Sequence, residues 1–592
     1  MNASMVKTFI ATMRFGRPYA GLLALTCMLN LVSVPADLGF LFLFKKIINS
    51  GFAADHLPEL QWYAFAAAGL LMVRSAVVYA SGWLFHYIEV GMSNRVQNLI
   101  YAKIHELSDA IQNRFTVGDL MTILFYHSQV MLQMITSTSG SLVTEAVRIP
   151  ALIIVLFSVH APLAGLVLLL LVPCLIFFRY FRKMVARNAG QSNRVRSELY
   201  TMAEQTLSHL EIISMFAAGE REKERFKKMN EKLRAVSLDT YKFMSLLSPV
   251  TQLIKVAGVV VLVILGTHQV ASGKLSVGGL TIFIASAYYL YGSISNLGSW
   301  YLSMLTGLVS ANEIFGFLNS KAAVASPPDG LILSSLERQI ELRQVCFRYP
   351  DTETPVLNDI CLTIAKGETV AIAGPSGCGK STLLKLLIRL HDPTRGAVLM
   401  DGHDLRHLDL TALKTLFGCV PQDPGIFQAT PAEAIAYGYP AAGEGRIVEA
   451  GVLAGAHDFI SRLPEAYRTL IGERGGKMSG GEKQRVALAR ALIRKADILM
   501  MDEALSWVDA PTEKRILRQI AAERKQQRKT TILVSHRLAS IRHADRIIVM
   551  EQGRVLEQGD HQTLMRIAGN YREWYRLQAP QESGNPDAQD AN

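Results

Sequence analysis

Cysteine is scarce in this chain: six in 592 residues (Cys27, Cys174, Cys346, Cys361, Cys378, Cys419), with no C-x-x-C pair. That scatter indicates neither a disulfide framework nor a zinc site, and it fits a reducing, cytosolic setting. No Cys or His cluster stands at ligand spacing, so metal cargo is not indicated. Charge is also thin, at 19% of residues, against 50% apolar residues and a mean hydropathy of +0.22. That balance is high apolarity for a wholly soluble protein. The net charge is 61 − 50 = +11. The basic residues gather beside apolar segments, which fits a cytoplasmic membrane face and argues against nucleic acid as a partner. No cleavable signal peptide is visible, because the first apolar run is too long for one and reads as a spanning helix. The length is too great for a single hydrophobic core.

What is present is a set of long apolar segments followed by a change of pattern. Residues 1–19 carry Lys7, Arg14 and Arg17 among apolar residues, which predicts an amphipathic helix on the inner surface. Six segments near 20–47, 62–88, 134–159, 162–180, 243–270 and 277–305 are each long enough to cross a bilayer core that needs ~20 residues. The third and fourth are joined by His160, Ala161 and Pro162, which predicts a tight hairpin. The connections after spans two and four are long and basic (Arg95, Lys103 and Arg114; Arg179, Arg182, Lys183, Arg187, Arg194 and Arg196). Both termini are therefore expected in the cytoplasm, with Lys45 and Lys46 in mild disagreement. The domains expected are a six-helix membrane domain at 20–320, a linker at 321–335 around Pro327-Pro328-Asp329-Gly330, an α/β domain at 336–579 and a polar tail at 580–592. Short strands near 340–349, 370–374, 498–502, 531–535 and 547–551 predict a largely parallel sheet.

Chemistry is carried by the second half. Gly374-Pro375-Ser376-Gly377-Cys378-Gly379-Lys380-Ser381-Thr382 matches the phosphate-cradling pattern, between a strand and a helix. Its glycines let backbone N–H groups approach phosphates, Lys380 would reach the β- and γ-phosphates of ATP, and Ser381 would ligate Mg²⁺. Four apolar residues from Ile498 lead to Asp502 and Glu503 at a strand end. Asp502 would hold Mg²⁺, and Glu503 would act as general base toward the attacking water. An acidic pair opening a helix is the ordinary alternative.

Met478-Ser479-Gly480-Gly481-Glu482-Lys483-Gln484-Arg485 resembles the signature of the ATP-binding cassette family, usually LSGGQ, with Met478 for Leu and Glu482 for Gln. The resemblance implies that Ser479, Gly480, Gly481 and Glu482 present a helix N-terminus to the γ-phosphate. Tyr349 resembles the aromatic that stacks on adenine, Gln422 the glutamine that senses Mg²⁺ and the attacking water, and His536 the switch histidine. Ser506-Trp507-Val508-Asp509 resembles the dimer-contacting loop, with an unusual Trp507. Six spans followed by a cassette resemble exporter-type half-transporters. Residues 117–121 and 212–216 look like that family's two coupling segments, while Phe125-Tyr126-His127 departs from its polar triplet. The resemblance implies a dimer in which each ATP lies between Lys380 of one chain and Ser479 of the other. The partner is a second copy, since every catalytic position is filled and no internal repeat is seen, or a related half-transporter. An importer on the same fold and a non-transporting channel or regulator are the rival readings.

Asp37, Arg74, Glu145, Arg148 and Lys255 lie inside the expected spans, about 18–25 Å from the nearest outer turn at 1.5 Å per residue. Charged residues there are candidates for a substrate cavity. For Glu145 and Arg148, spaced i,i+3, a self-neutralising pair is the alternative. Three basic and two acidic positions suit an amphipathic substrate with an anionic group: a lipid, a small peptide or a drug-like molecule. A bacterial inner membrane is the expected location.

Overall fold

A computed structural model describes residues 3–51, 57–107, 115–320, 324–350, 352–472, 475–476 and 478–578. The expected tail at 580–592 and the start of the expected linker, 321–323, lie outside the described residues. The chain forms two compact units, Met1–Ala322 and Ala323–Asn592.

The first unit is helical. Ala3–Met13 leads through a 3₁₀ stretch, Arg14–Tyr19, into Ala20–Gly51. One face of the leading helix is covered, since Phe9 packs with Met304, Leu305 and Leu308 and Thr8 Oγ1 donates to Asn312 at 2.9 Å. Among the described residues, five stretches are long and apolar enough to cross a membrane: Val6–Asn49, Leu60–Leu107, Val143–Pro173, Pro249–Ala271 and Val277–Leu318. The third is broken at His160, whose φ of −160° and ψ of 99° leave the helical region. Pro162 lies two residues on and offers no backbone donor, and Leu163 N instead donates to His160 Nδ1 at 3.4 Å. The break falls where the hairpin between spans three and four is expected.

Helices of 51 and 53 residues (Leu57–Leu107, Gly219–Ala271), and the helical stretch from the His160 break to Ser208, far exceed the ~30 Å hydrocarbon core at 1.5 Å per residue. They therefore run on beyond it. The short helix Val117–Met121 is fixed by a capping box between Thr116 and Asp119. Ser197 Oγ donates to the same carboxylate, and those bonds hold Asp119 below the usual carboxylate range although burial opposes them. Gly118 permits the contact, because a Cβ there would lie 2.2 Å from Thr201 Oγ1. A π-helical turn, Thr122–His127, follows. In it His127 Nδ1 meets Ser310 Oγ at 3.0 Å, and Arg196 lies 4.2 Å from the Tyr126 ring centre. The other coupling candidate forms the helix Leu210–Met215, with Leu210, Ile212, Met215 and Phe216 exposed.

The second unit holds two sheets. Six strands run in the order β10-β9-β3-β8-β7-β6: Arg554–Gly559 (β10), Arg546–Glu551 (β9), Thr369–Ala373 (β3), Thr530–Val534 (β8), Ile498–Asp502 (β7) and Phe417–Val420 (β6). All pair in parallel except the edge strand β10. A separate antiparallel sheet, β2-β1-β4-β5, comprises Leu357–Ala365, Gln339–Phe347, Arg395–Met400 and His403–Asp404. The strand expected near 340–349 thus belongs to this second sheet and not to the parallel one. Its burial alternates at first, as one-sided packing requires, whereas β7 and β8 are buried on both faces. Residues expected in the linker are seated on the cassette. Leu331 N donates to His407 O at 2.9 Å, and Arg389 Nη2 donates to Ala325 O at 3.1 Å.

Candidate functional site

Strand β3 delivers the chain into the phosphate loop, and the helix Lys380–Leu387 leaves it. Gly379 opens that helix at φ +104°, where a Cβ would meet Leu357 Cδ2 at 2.7 Å. Glycine is required there on both counts. Lys380 is buried, and its Nζ donates to Gly374 O at 2.8 Å and Pro375 O at 2.9 Å. The ammonium is thus turned onto the loop that would wrap a phosphate chain. Cys378 Sγ lies 3.9 Å from it, and burial pushes that thiol up. Gly374, Pro375, Ser376, Gly377, Ser381 and Thr382 complete the loop and first helical turn. Tyr349 is half-buried beside it. Its hydroxyl lies 3.3 Å from Thr382 Oγ1, and its ring meets Phe347 edge-on with centroids 4.9 Å apart.

Asp502 and Glu503 leave the end of β7. Asp502 Oδ1 is buried without a hydrogen-bond partner. Burial pushes the Asp502 carboxyl up, opposed by a hydrogen bond to Ser381 and by the charges of Lys380 and His536. A buried carboxylate oxygen left without a donor, next to a hydroxyl, fits a hard divalent cation such as Mg²⁺. Glu503 takes a left-handed backbone conformation, φ +51°, held by its N–H on Val534 O at 3.0 Å. Its carboxylate is engaged on both oxygens. Gln422 Nε2 donates to Oε2 at 2.9 Å, and His536 Nε2 stands 2.5 Å from Oε1. The structure therefore brings together Gln422, Glu503 and His536 from three separate loops, one residue from Asp502.

Ser479 caps the helix Gly480–Leu492. Its Oγ accepts from Glu482 N at 3.4 Å, while Glu482 Oε2 accepts from Ser479 N at 2.7 Å and Ser479 Oγ at 2.8 Å. The carboxylate at position 482 is thus used locally. Among the described residues, no hydrogen bond or ion pair joins 479–482 to the phosphate loop. Trp507 is 63% exposed yet lies over the capped turn, since a Cβ on Gly480 would come within 2.3 Å of Trp507 Cε3.

Two residues not singled out from the sequence tie these loops together. Gln484, buried, donates to Ser506 Oγ at 2.9 Å and accepts from Trp507 N at 2.9 Å. Arg537 donates to Ser506 O at 2.9 Å, Val508 O at 3.1 Å and Glu513 Oε2 at 2.5 Å. Both sit inside motifs already visible.

In the membrane unit, four of the five charged candidates converge. Arg74 Nε lies 2.5 Å from Asp37 Oδ1, Arg148 Nη2 lies 3.1 Å from Asp37 Oδ2, and Arg148 Nη1 lies 3.2 Å from Glu145 Oε1. Asn296 Nδ2 also donates to Glu145 Oε1, at 3.0 Å. The network joins four helices and has two charges of each sign. Lys255 stands apart from it. Its Nζ lies 4.1 Å from the Tyr288 ring centre, and among the described residues no carboxylate pairs with it.

Comparison with known proteins places this geometry. Residues 357–506 match the family described as ABC transporter, and residues 23–294 match the ABC transporter transmembrane region. The ATP-dependent lipid A-core flippase of Syntrophus aciditrophicus (strain SB) is 31% identical over 571 residues, 96% of this chain and 94% of the relative. The flippase of the same name from Burkholderia orbicola (strain AU 1054) is 29% identical over 568 residues, 96% of this chain and 95% of the relative. The structure of a bacterial Atm1-family ABC exporter with ATP bound superposes with a TM-score of 0.88 at 28% identity, over 94% of this chain and 99% of that one. The chain belongs to the ABC transporter family: it is a membrane-spanning exporter that binds ATP and couples its hydrolysis to transport.

Proposed function

We propose that this chain works as a dimer of two identical copies in a bacterial inner membrane, with both termini cytoplasmic, and exports an anionic amphiphile of lipid type. Support for the lipid class comes from the relatives, named as lipid A-core flippases. Support for an anionic headgroup comes from Lys255, which pairs with no carboxylate among the described residues, and from Arg74, whose side chain is 35% exposed. On this reading those two cations meet the headgroup, and the buried Asp37, Glu145 and Arg148 frame them.

In the cassette, Lys380 leaves the carbonyls of Gly374 and Pro375 to meet the β- and γ-phosphates, and the loop from Gly374 to Thr382 wraps them. Tyr349 packs against the adenine. Ser381, Asp502 and Gln422 are the residues that would hold Mg²⁺, which supplies charge neutralisation between the β- and γ-phosphates. Glu503 takes the proton of the water that attacks the γ-phosphorus as the bond to the bridging oxygen breaks. His536 and Gln422 orient that carboxylate. The partner's Ser479 closes over the γ-phosphate, with Gly480, Gly481 and Glu482 shaping that turn. Separation of 479–482 from the phosphate loop within one chain is what makes a second chain necessary.

The observation that carries the ATPase reading is the Glu503 carboxylate held between Gln422 and His536 beside the orphaned oxygen of Asp502. Turnover of ATP by the protein in nanodiscs, with diphosphorylated lipid A or its dephosphorylated form added, tests the whole. Stimulation is expected from the phosphorylated lipid, and it should be lost in Lys255→Ala. Equal stimulation by both lipids would rule out recognition of the anionic group.

A further inference from the structure

A cavity of about 930 Å³ opens in the cassette, away from the phosphate loop. It lies between the helix Ala510–Gln526, the helix Leu538–Ile541 and Tyr575 of the helix Asn570–Gln578. Its size is within the ~300–1,000 Å³ common for small-molecule sites. Leu517, Leu533, Leu538 and Tyr575 give it an apolar wall. Lys514, Arg518, Arg542 and His543 stand around it.

The charge is unbalanced. The acidic group in the wall, Glu513, is already bonded to Arg537 Nη1 at 2.5 Å and to Ser540 Oγ at 2.5 Å. Among the described residues, no carboxylate forms a salt bridge with Lys514, Arg518 or Arg542. Lys514 and Arg518 stand i,i+4 on one helix, where like charges repel. Arg542 Nε donates to His543 Nε2 at 3.2 Å, and burial and then the charges of Arg542, Arg518 and Lys514 hold that imidazole below its usual range. A smaller cavity of about 110 Å³ shares Leu517, Leu533, His536 and Arg537 with this one and extends to Glu503.

We propose that this cavity binds an amphipathic organic anion, a single acyl chain ending in phosphate or carboxylate. Its headgroup is held by Lys514, Arg518 and Arg542, and its chain lies along Leu517, Leu533 and Tyr575 toward His536. The site lies apart from the phosphate loop and from the membrane charges, shares His536 with the catalytic cluster, and does not depend on which substrate is exported. Its inner end touches the loop that carries His536, so occupancy would bear on how that loop moves.

Hydrogen–deuterium exchange on the full chain in nanodiscs tests this, with decyl phosphate, decanoate, decanol and inorganic phosphate as separate additions. Exchange in 510–526 and 538–544 is expected to slow about tenfold at ten times Kd for at least one of the two amphipathic anions. The variant Lys514→Ala/Arg518→Ala/Arg542→Ala should lose that protection. Lys514→Arg/Arg518→Lys/Arg542→Lys, which keeps every charge, should retain it. Absence of protection by both amphipathic anions would overturn the proposal. So would equal protection by decanol or by inorganic phosphate alone, or unchanged protection in the alanine variant.

Discussion

Gln422 Nε2 stands 2.9 Å from Glu503 Oε2, so a side chain from the loop after β6 already grips the carboxylate at the end of β7. His536 grips the other oxygen. Glu503→Gln keeps the shape but removes the proposed base. ATP turnover is expected to fall by about 10²-fold or more, with ATP binding retained. Steady-state turnover and nucleotide retention measure the two effects separately, and turnover at the normal rate would strip Glu503 of its assigned role.

Glu482 replaces the family's glutamine and caps its own helix through Ser479. Glu482→Gln preserves the reciprocal bonds and removes one negative charge from a turn expected to face phosphate. The expected outcome is a lower KM for ATP. The fold should lose no more than about 1 kcal/mol, since a carboxylate near a helix N-terminus contributes ~0.3–1 kcal/mol. A raised KM would show that the charge is not opposed to the nucleotide.

Gly480 and Trp507 are coupled by contact. A methyl group at 480 would overlap the indole, 2.3 Å from Cε3. Gly480→Ala alone should therefore cost about 1–3 kcal/mol of cassette stability through overpacking. Gly480→Ala with Trp507→Ala should recover most of it. A thermal-unfolding double-mutant cycle checks this, and additive losses would mean that the two residues do not share the space.

Arg148 and Lys255 are expected to separate stability from recognition. Arg148→Ala leaves buried Asp37 with Arg74 alone and buried Glu145 with only the neutral Asn296, at a cost of about 3–5 kcal/mol. Lys255→Ala removes only a cation–π contact, worth ~0.5–2 kcal/mol. Unfolding midpoints in nanodiscs should fall far more for the first. A comparable fall for both would contradict the network reading.

Acid should disable the proposed magnesium site without loosening the fold at that point. The Asp502 carboxyl is pushed up, chiefly by burial. A raised carboxyl binds its proton more tightly folded than unfolded. Its contribution to stability is therefore fully present below the unfolded value of about 3.9, and it is lost as pH rises through the folded one. Magnesium binding runs the other way, since it needs the carboxylate. The Mg²⁺ concentration for half-maximal turnover is expected to rise as pH falls from about 8 to 5. A flat profile would argue against Asp502 as a ligand.

The cassette was largely legible because its chemistry requires fixed residues at fixed spacing. Gly379, Lys380, Ser381, Asp502 and Glu503 can each be placed from neighbours in the chain. What the sequence hid were pairings across the fold. Nothing local says that the strand from Gln339 joins a second sheet, because its partners Leu357–Ala365 and Arg395–Met400 are fixed only by tertiary packing. In the membrane half, depth along each helix could be counted, which grouped Asp37, Arg74, Glu145, Arg148 and Lys255. Rotation about each helix axis could not be read. That rotation turns four of them onto one another and leaves Lys255 against Tyr288.

Glu503 is a non-glycine residue at φ +51°, a conformation that costs an L-residue roughly 1–2 kcal/mol. Folding meets that cost once, through the sheet that grips its amide. On the proposed reading the proton acceptor is in consequence fixed at both ends, its amide by Val534 O and its carboxylate by Gln422 and His536. Each round of turnover then begins with its direction already set.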